Sequence, residues 1–187
     1  MQPATAFSFS PATEEETMSL SALAPEWCAR PVERMRMALG DAFLLHLGSL
    51  DGARQPLGFL RTMSVEHGDG VATGGLLAGG NVYAVRATGR CPFPNFVSIG
   101  RTRNNDVVLP DISVSKFHAY LRPENGRYKI QDAGSQNGTW VKGERLSAKE
   151  SVALEPGLAL RLGGLELTYL DASGLHEILC RVSARTA

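Results

Sequence analysis

Three short segments carry side chains suited to gripping a phosphorylated group. The first is Gly100-Arg101, directly after the apolar run Phe96-Val97-Ser98-Ile99. The second is Ser115-Lys116-Phe117-His118. The third runs Asp132-Ala133-Gly134-Ser135-Gln136-Asn137-Gly138-Thr139. An arginine presents a planar fork of donors that matches phosphate. A serine hydroxyl adds a donor without bulk, and an asparagine amide can both donate to and accept from a peptide backbone. Arg101, Ser115 and Asn137 therefore form a kit for a phosphorylated peptide, provided the fold gathers their loops. The same residues also have plain readings. Arg101 can be solvated, Ser115 can cap a turn, and Asn137-Gly138 is a common turn pair. His118 reads as a hydrogen-bonded brace, and Asp132 and Ser135 as groups that pin their own loop.

The elements that must position these loops read as strands. From Asn81 onward short apolar runs recur between Gly, Asn, Asp and Pro. Tyr128 and Ile130 alternate with Lys129 and Gln131, and Leu158, Leu160 and Leu162 with Ala159 and Arg161, as half-buried strands do. Glu124-Asn125-Gly126 predicts a hairpin turn. Many short strands at close spacing point to a mostly antiparallel β-sandwich over about residues 82–171. Asp171 or Ser173 can cap a short helix with Leu175, Ile178 and Leu179 on one face.

Ahead of this region the texture differs. Residues 1–24 are rich in Ser, Thr, Pro and Glu and read as a flexible acidic tail. Residues 25–81 read as an extension packed on the sandwich. It comprises a helix over 25–40 with Val32, Met35 and Leu39 on one face and Gly40 as its stop, then strands at Phe43–Leu47 and Leu57–Glu66. Residues 82–187 form the third part, the sandwich with its C-terminal helix.

The 187 residues carry 19 Lys and Arg against 19 Asp and Glu, a balance that argues against bulk nucleic-acid binding. Glu14, Glu15 and Glu16 lie in a tail without Lys or Arg, whereas the region over 86–145 is net basic and suits an anionic partner. No run has the length of a membrane span, and no basic-then-apolar start marks a secretory signal. Cys28, Cys91 and Cys180 are too scattered for a disulfide framework, which suggests a reducing, cytoplasmic setting. His46, His67, His118 and His176 show no metal spacing, and no cofactor is implied.

A hydrolase would draw on Ser115, His118 and Asp132, but such residues occur in most chains and no Gly-x-Ser-x-Gly elbow is present. The run Gly74 to Gly80 lacks the Gly-Lys-Ser/Thr ending of a nucleotide loop. The sequence does not read as an enzyme.

The span GRTRNNDVVLPDISVSKFHAYL, followed by DAGSQNGTWVKG, resembles the signature of forkhead-associated (FHA) domains. That pattern is Gly-Arg, then Asn/Asp-Asp-hydrophobic, then Ser-x-x-His, then Ser-x-Asn-Gly-Thr. The resemblance implies an all-β, antiparallel sandwich that binds a phosphothreonine peptide downstream of Ser/Thr protein kinases. It implies that Arg101 and Ser115 contact the phosphate, Lys116 the phosphate or peptide backbone, and Asn137 the peptide main chain. Gly100, His118, Gly138 and Thr139 then shape the loops. Gln136 stands where a small polar residue is common, and Lys142 replaces a frequent Asn at a turn. The implied partners are a phosphothreonine protein or peptide and a Ser/Thr kinase, with no nucleic acid and no membrane. Thr13 and Thr17, which flank the three glutamates, are candidate phosphorylation sites through which the tail would occupy its own domain. The alternative is a phosphate-independent assembly module that docks partners by a sheet face or by the N-terminal extension.

Overall fold

A computed structural model describes residues 17–48, 79–93 and 95–186. Two sheets face each other across an apolar core. The strands are β1 (Thr17–Ser19), β2 (Ala42–His46), β3 (Asn81–Ala84), β4 (Val97–Gly100), β5 (Val107–Val108) and β6 (Ala119–Glu124). They continue with β7 (Arg127–Asp132), β8 (Thr139–Val141), β9 (Glu144–Arg145), β10 (Ser151–Ala153), β11 (Leu158–Leu162) and β12 (Leu165–Asp171). The helices are α1 (Leu20–Trp27), α2 (Val32–Leu39) and α3 (Ala172–Thr186). One sheet has the order β1-β3-β2-β12-β11-β8-β9, the other β10-β7-β6-β4-β5. All pairings are antiparallel except β4 with β5.

Side-chain alternation explains the layers. On β2, Ala42 and Leu44 point into the sandwich core with Ile99, Leu121, Ile130 and Leu160. Phe43 and Leu45 point the other way, into a second core with Leu20, Trp27, Met35, Leu175 and Leu179. Residues 42–45 of the strand are all apolar because both its faces are covered. Each fully buried Leu or Phe contributes on the order of 1.5–3 kcal/mol of transfer free energy. The helical layer is therefore part of the body that holds the loops.

Several boundaries differ from those expected. The flexible tail was expected through residue 24, but Thr17–Ser19 is a strand and Leu20 begins a helix. Ser19 caps that helix, its side chain accepting from Ala22 N. The single helix expected over 25–40 is two, because Pro31 disfavours helical backbone at Arg30 and starts a new helix. The extension expected over 25–81 supplies β2, which sits between β3 and β12 inside the larger sheet. Asp171, rather than Ser173, caps α3 by accepting from Gly174 N at 2.8 Å. Thr13, the strand expected at Leu57–Glu66 and most of the Gly74–Gly80 run lie outside the described residues.

Asn125 (φ 51°) and Gly126 (φ 75°) make the tight β6–β7 turn. Lys142 (φ 52°) and Gly143 (φ 86°) do the same between β8 and β9. Among the described residues, no helix is long and apolar enough to cross a membrane.

Candidate functional site

The loops after β4, before β6 and after β7 are laced into one cluster by hydrogen bonds. Gly100, the last residue of β4, lies against the Lys116 carbonyl. A Cβ there would strike that oxygen and come within 2.8 Å of Asn105 Nδ2, so only glycine fits. The Lys116 carbonyl accepts from Asn105 Nδ2 at 2.7 Å and from Thr102 Oγ1 at 2.9 Å. Arg101 N donates to the Ser115 carbonyl at 3.0 Å.

Arg101 is half-buried, and its Nε donates to the Val114 carbonyl at 3.1 Å. That bond fixes the plane of the guanidinium. Among the described residues, none of the ion pairs involves Arg101.

Ser115 Oγ accepts from Gln136 N at 3.0 Å, which leaves the hydroxyl proton for another acceptor. Asn137 Nδ2 donates to the Ser113 carbonyl at 2.8 Å, orienting an amide whose residue is exposed. Ser113 Oγ in turn accepts from Gly164 N at 2.8 Å. Arg101, Ser115, Gln136 and Asn137 are thus brought together. Lys116 enters through its carbonyl, and its side chain is exposed.

His118 is wholly buried. Its Nδ1 accepts from Ser115 N at 2.9 Å, and its Nε2 therefore carries the proton and donates to the Gly138 carbonyl at 3.1 Å. Burial lowers the imidazole below its ordinary value, outweighing the Gly138 bond and the nearby Asp132 charge that act the other way. Asp132 is saturated by its own loop. It accepts from Gly134 N, Ser135 N, Ser135 Oγ and Thr139 Oγ1 at 2.6–2.9 Å. Burial would raise its carboxyl, but those donors prevail and lower it. With both ring nitrogens bound to backbone and the carboxylate facing its own loop, Ser115, His118 and Asp132 do not form a nucleophile, base and orienter chain.

Gly138 has φ 82°, and its α-carbon lies under Arg145; an added Cβ would meet Arg145 Nε at 2.5 Å. Thr17 lies on β1, where it pairs with Tyr83 of β3.

Sequence reasoning placed Asn105 and Asp106 in the signature without giving them a role, and missed Ser113 and Arg145. Asp106 is buried and accepts from Thr88 N, Thr88 Oγ1, Ser98 N and Ser98 Oγ at 2.7–2.9 Å. Its carboxyl is lowered, those bonds outweighing the opposing effect of burial. The signal was the Asn-Asp pair itself, since two consecutive polar residues before Val107-Val108 need buried partners.

The FHA domain family model matches residues 97–163. The chain is 39% identical over 88 residues to the ABC transporter ATP-binding/permease protein Rv1747 of Mycobacterium tuberculosis, covering 47% of this chain and 10% of that protein. It is 37% identical over 73 residues to the glycogen accumulation regulator GarA of Mycolicibacterium smegmatis, covering 39% and 44%. It is 36% identical over 74 residues to the oxoglutarate dehydrogenase inhibitor of Corynebacterium jeikeium, covering 40% and 49%. The chain thus spans half or less of the length of these relatives. Among solved structures, the FHA-2 domain of Rv1747 is 38% identical over 44% of this chain and 73% of that one, with a TM-score of 0.36. A structure described as an analysis of phosphothreonine-dependent FHA domain interactions is 22% identical over 69% and 95%, with a TM-score of 0.42. The signature segments lie in one hydrogen-bonded loop cluster of a two-sheet sandwich, and residues 97–163 of this chain are an FHA domain.

Proposed function

We propose that this chain reads Ser/Thr kinase signalling by binding a phosphothreonine segment of a partner protein at the Arg101 cluster, in the cytoplasm and without catalysis. The observation that carries the reading is the half-buried Arg101, oriented through Nε and free of any ion pair among the described residues. A dianionic phosphate supplies the missing counter-charge. Arg101 and Ser115 hold the phosphate, Lys116 adds a mobile cation, and Asn137 with Gln136 N–H borders the peptide main chain. Phosphothreonine as ligand is supported by the FHA family match. The free thiols Cys28, Cys91 and Cys180 support a reducing compartment.

The test is titration of a phosphothreonine peptide library into wild type and Arg101→Ala, with unphosphorylated peptides as controls. One charge-assisted contact is worth about 1.5–3 kcal/mol, so Arg101→Ala should weaken binding at least about tenfold. Unchanged affinity would remove Arg101 from the site.

A second reading rests on the outer face of the smaller sheet. Phe93 and Phe96 stack at 5.2 Å, Phe96 meets Tyr120 at 4.8 Å, and Phe117 lies 6.4 Å from Tyr120. Docking through this aromatic row would survive phosphatase treatment of the partner, whereas docking through Arg101 would not.

A further inference from the structure

Cys28 and Cys180 lie 152 residues apart in sequence and meet in the helical layer. Cys28 is the C-terminal cap of α1, and Cys180 stands on α3. Cys180 Sγ donates to the Cys28 carbonyl at 3.4 Å. Cys28 Sγ donates to Ser183 Oγ at 3.2 Å, and Ser183 follows Cys180 by about one turn on the same face of α3. His176, about one turn before Cys180 on that face, donates from Nε2 to the Arg30 carbonyl at 2.9 Å. These contacts seat the turn after α1 on α3. Both thiols are half-buried rather than sealed in the core. The third thiol, Cys91, lies between β3 and β4.

The proton that His176 Nε2 donates to Arg30 leaves Nδ1 as an acceptor, 3.8 Å from Cys180 Sγ. A base therefore stands beside that thiol. Burial, with Cys28 alongside, pushes the Cys180 thiol up, so it is Nδ1 that can draw the proton away as the sulfur attacks. The fold also holds the two sulfurs together. An open chain of 152 residues between them would bring them into contact only rarely.

We propose that Cys28 and Cys180 are a reversible modification site, which a small-molecule disulfide such as oxidised glutathione converts into a bridge stapling α1 to α3. The Cys28 sulfur, as thiolate, attacks one sulfur of the small disulfide. A mixed disulfide forms and one reduced thiol leaves. Cys180 gives its proton to His176 Nδ1 and attacks the Cys28 sulfur of the mixed disulfide. The protein bridge forms, and the second reduced thiol leaves with that proton. Two protein thiols thus lose two electrons and two protons, and one small disulfide becomes two thiols. Closure requires Cys28 Sγ to rotate from Ser183 towards Cys180, whose thiol already touches the Cys28 carbonyl. In a reducing compartment both thiols stay free, and the bridge records a shift of the thiol–disulfide balance. It pins the second core onto β2 and does not depend on what binds at Arg101.

The test incubates the full chain with oxidised glutathione, traps the remaining thiols with a maleimide and maps the sulfurs by mass after digestion. Wild type and Cys91→Ser should each yield a Cys28–Cys180 bridge within a single chain, reversed by dithiothreitol. The bridged protein should melt about 4–8 °C above the reduced one. Cys28→Ser and Cys180→Ser should keep glutathione on the remaining thiol of the pair and show no such rise. Should either variant fail to fold, wild type alone decides. Its bridge should form at about tenfold less oxidised glutathione, or lower still, in the folded chain than in urea. Lasting glutathione adducts on both thiols of wild type, a bridge through Cys91 or bridging between chains overturns the proposal. So does equal bridging in urea, or a bridged protein that melts no higher than the reduced one.

Discussion

The Nδ1 atom of His118 accepts the backbone N–H of Ser115 at 2.9 Å, three residues away, from a side chain with no exposure to solvent. Through Nε2 the same ring reaches the Gly138 carbonyl, so one imidazole joins the loop carrying the Ser115 hydroxyl to the loop carrying Asn137. Protonation forfeits the first bond, because Nδ1–H cannot accept, whereas Nε2–H still donates to Gly138.

Acid should therefore loosen the site before it affects the carboxylates. The folded imidazole sits below its ordinary value of 6.5. The unfolded chain then binds more protons between that lowered value and 6.5, and stability rises with pH across this window. The contribution is complete above 6.5 and is lost as pH falls through the folded value. Thermal unfolding of wild type should show a lower Tm at pH 5.5 than at pH 7.5. His118→Asn should be less stable at pH 7.5 by about 2–4 kcal/mol, for an orphaned buried N–H and carbonyl, and its Tm should depend less on pH in this range. An equal pH dependence in the variant would separate the acid effect from His118.

Asp132→Asn should detach the 133–139 loop. The carboxylate accepts four donors on two oxygens, and an amide offers one accepting oxygen in their place. The expected loss is about 1–3 kcal/mol, moderated by partial exposure of the loop. Because the folded carboxyl is lowered, its contribution is present above about pH 4 and declines below it. Chemical denaturation at pH 7 and at pH 3 should show a difference between wild type and variant that shrinks on acidification.

Gly138→Ala carries two separable penalties. The left-handed φ of 82° costs about 1–2 kcal/mol for an L-residue, and the Cβ would press on Arg145 Nε. Arg145→Ala removes only the second. In a double-mutant cycle, Gly138→Ala should be milder in the Arg145→Ala background, with the backbone cost remaining. Additive effects would show that Arg145 yields freely.

One substitution should improve the protein. Lys142 adopts φ 52° at the first central position of the β8–β9 turn, a backbone state that asparagine tolerates far better. Lys142→Asn should raise stability by about 0.5–1 kcal/mol in urea denaturation without altering phosphopeptide affinity.

The strands around the site were legible because their apolar residues alternate, and the Asn125-Gly126 turn because that pair favours left-handed backbone. Gly100, Arg101, Ser115 and Asn137 stood out because chemistry and order matched a known pattern. What stayed hidden depends on partners distant in sequence. Thr17–Ser19 is polar and short, and it is a strand because Tyr83, Val82 and Asn81 offer it a ladder. Asp106 looks like a loop acid until Ser98 and Thr88 surround it. The α1/α2 break was present in Arg30-Pro31, but the apolar spacing of Val32, Met35 and Leu39 drew attention past it. Arg145 gave no signal, since its role is a contact with the bare α-carbon of Gly138.

The placement of β2 between β3 and β12 has a consequence for biosynthesis. His46 on β2 meets the Glu166 carbonyl on β12 across a separation of 120 residues. Phe43, Leu44 and Leu45 can pair with β3 early in synthesis, but their second neighbour, β12, is made only about 120 residues later. Until then that greasy segment is exposed to chaperones and to other nascent chains. Truncated translation products ending before β12 would lack the strand that joins β2 to β11 within the larger sheet, and with it the frame on which the loops are mounted.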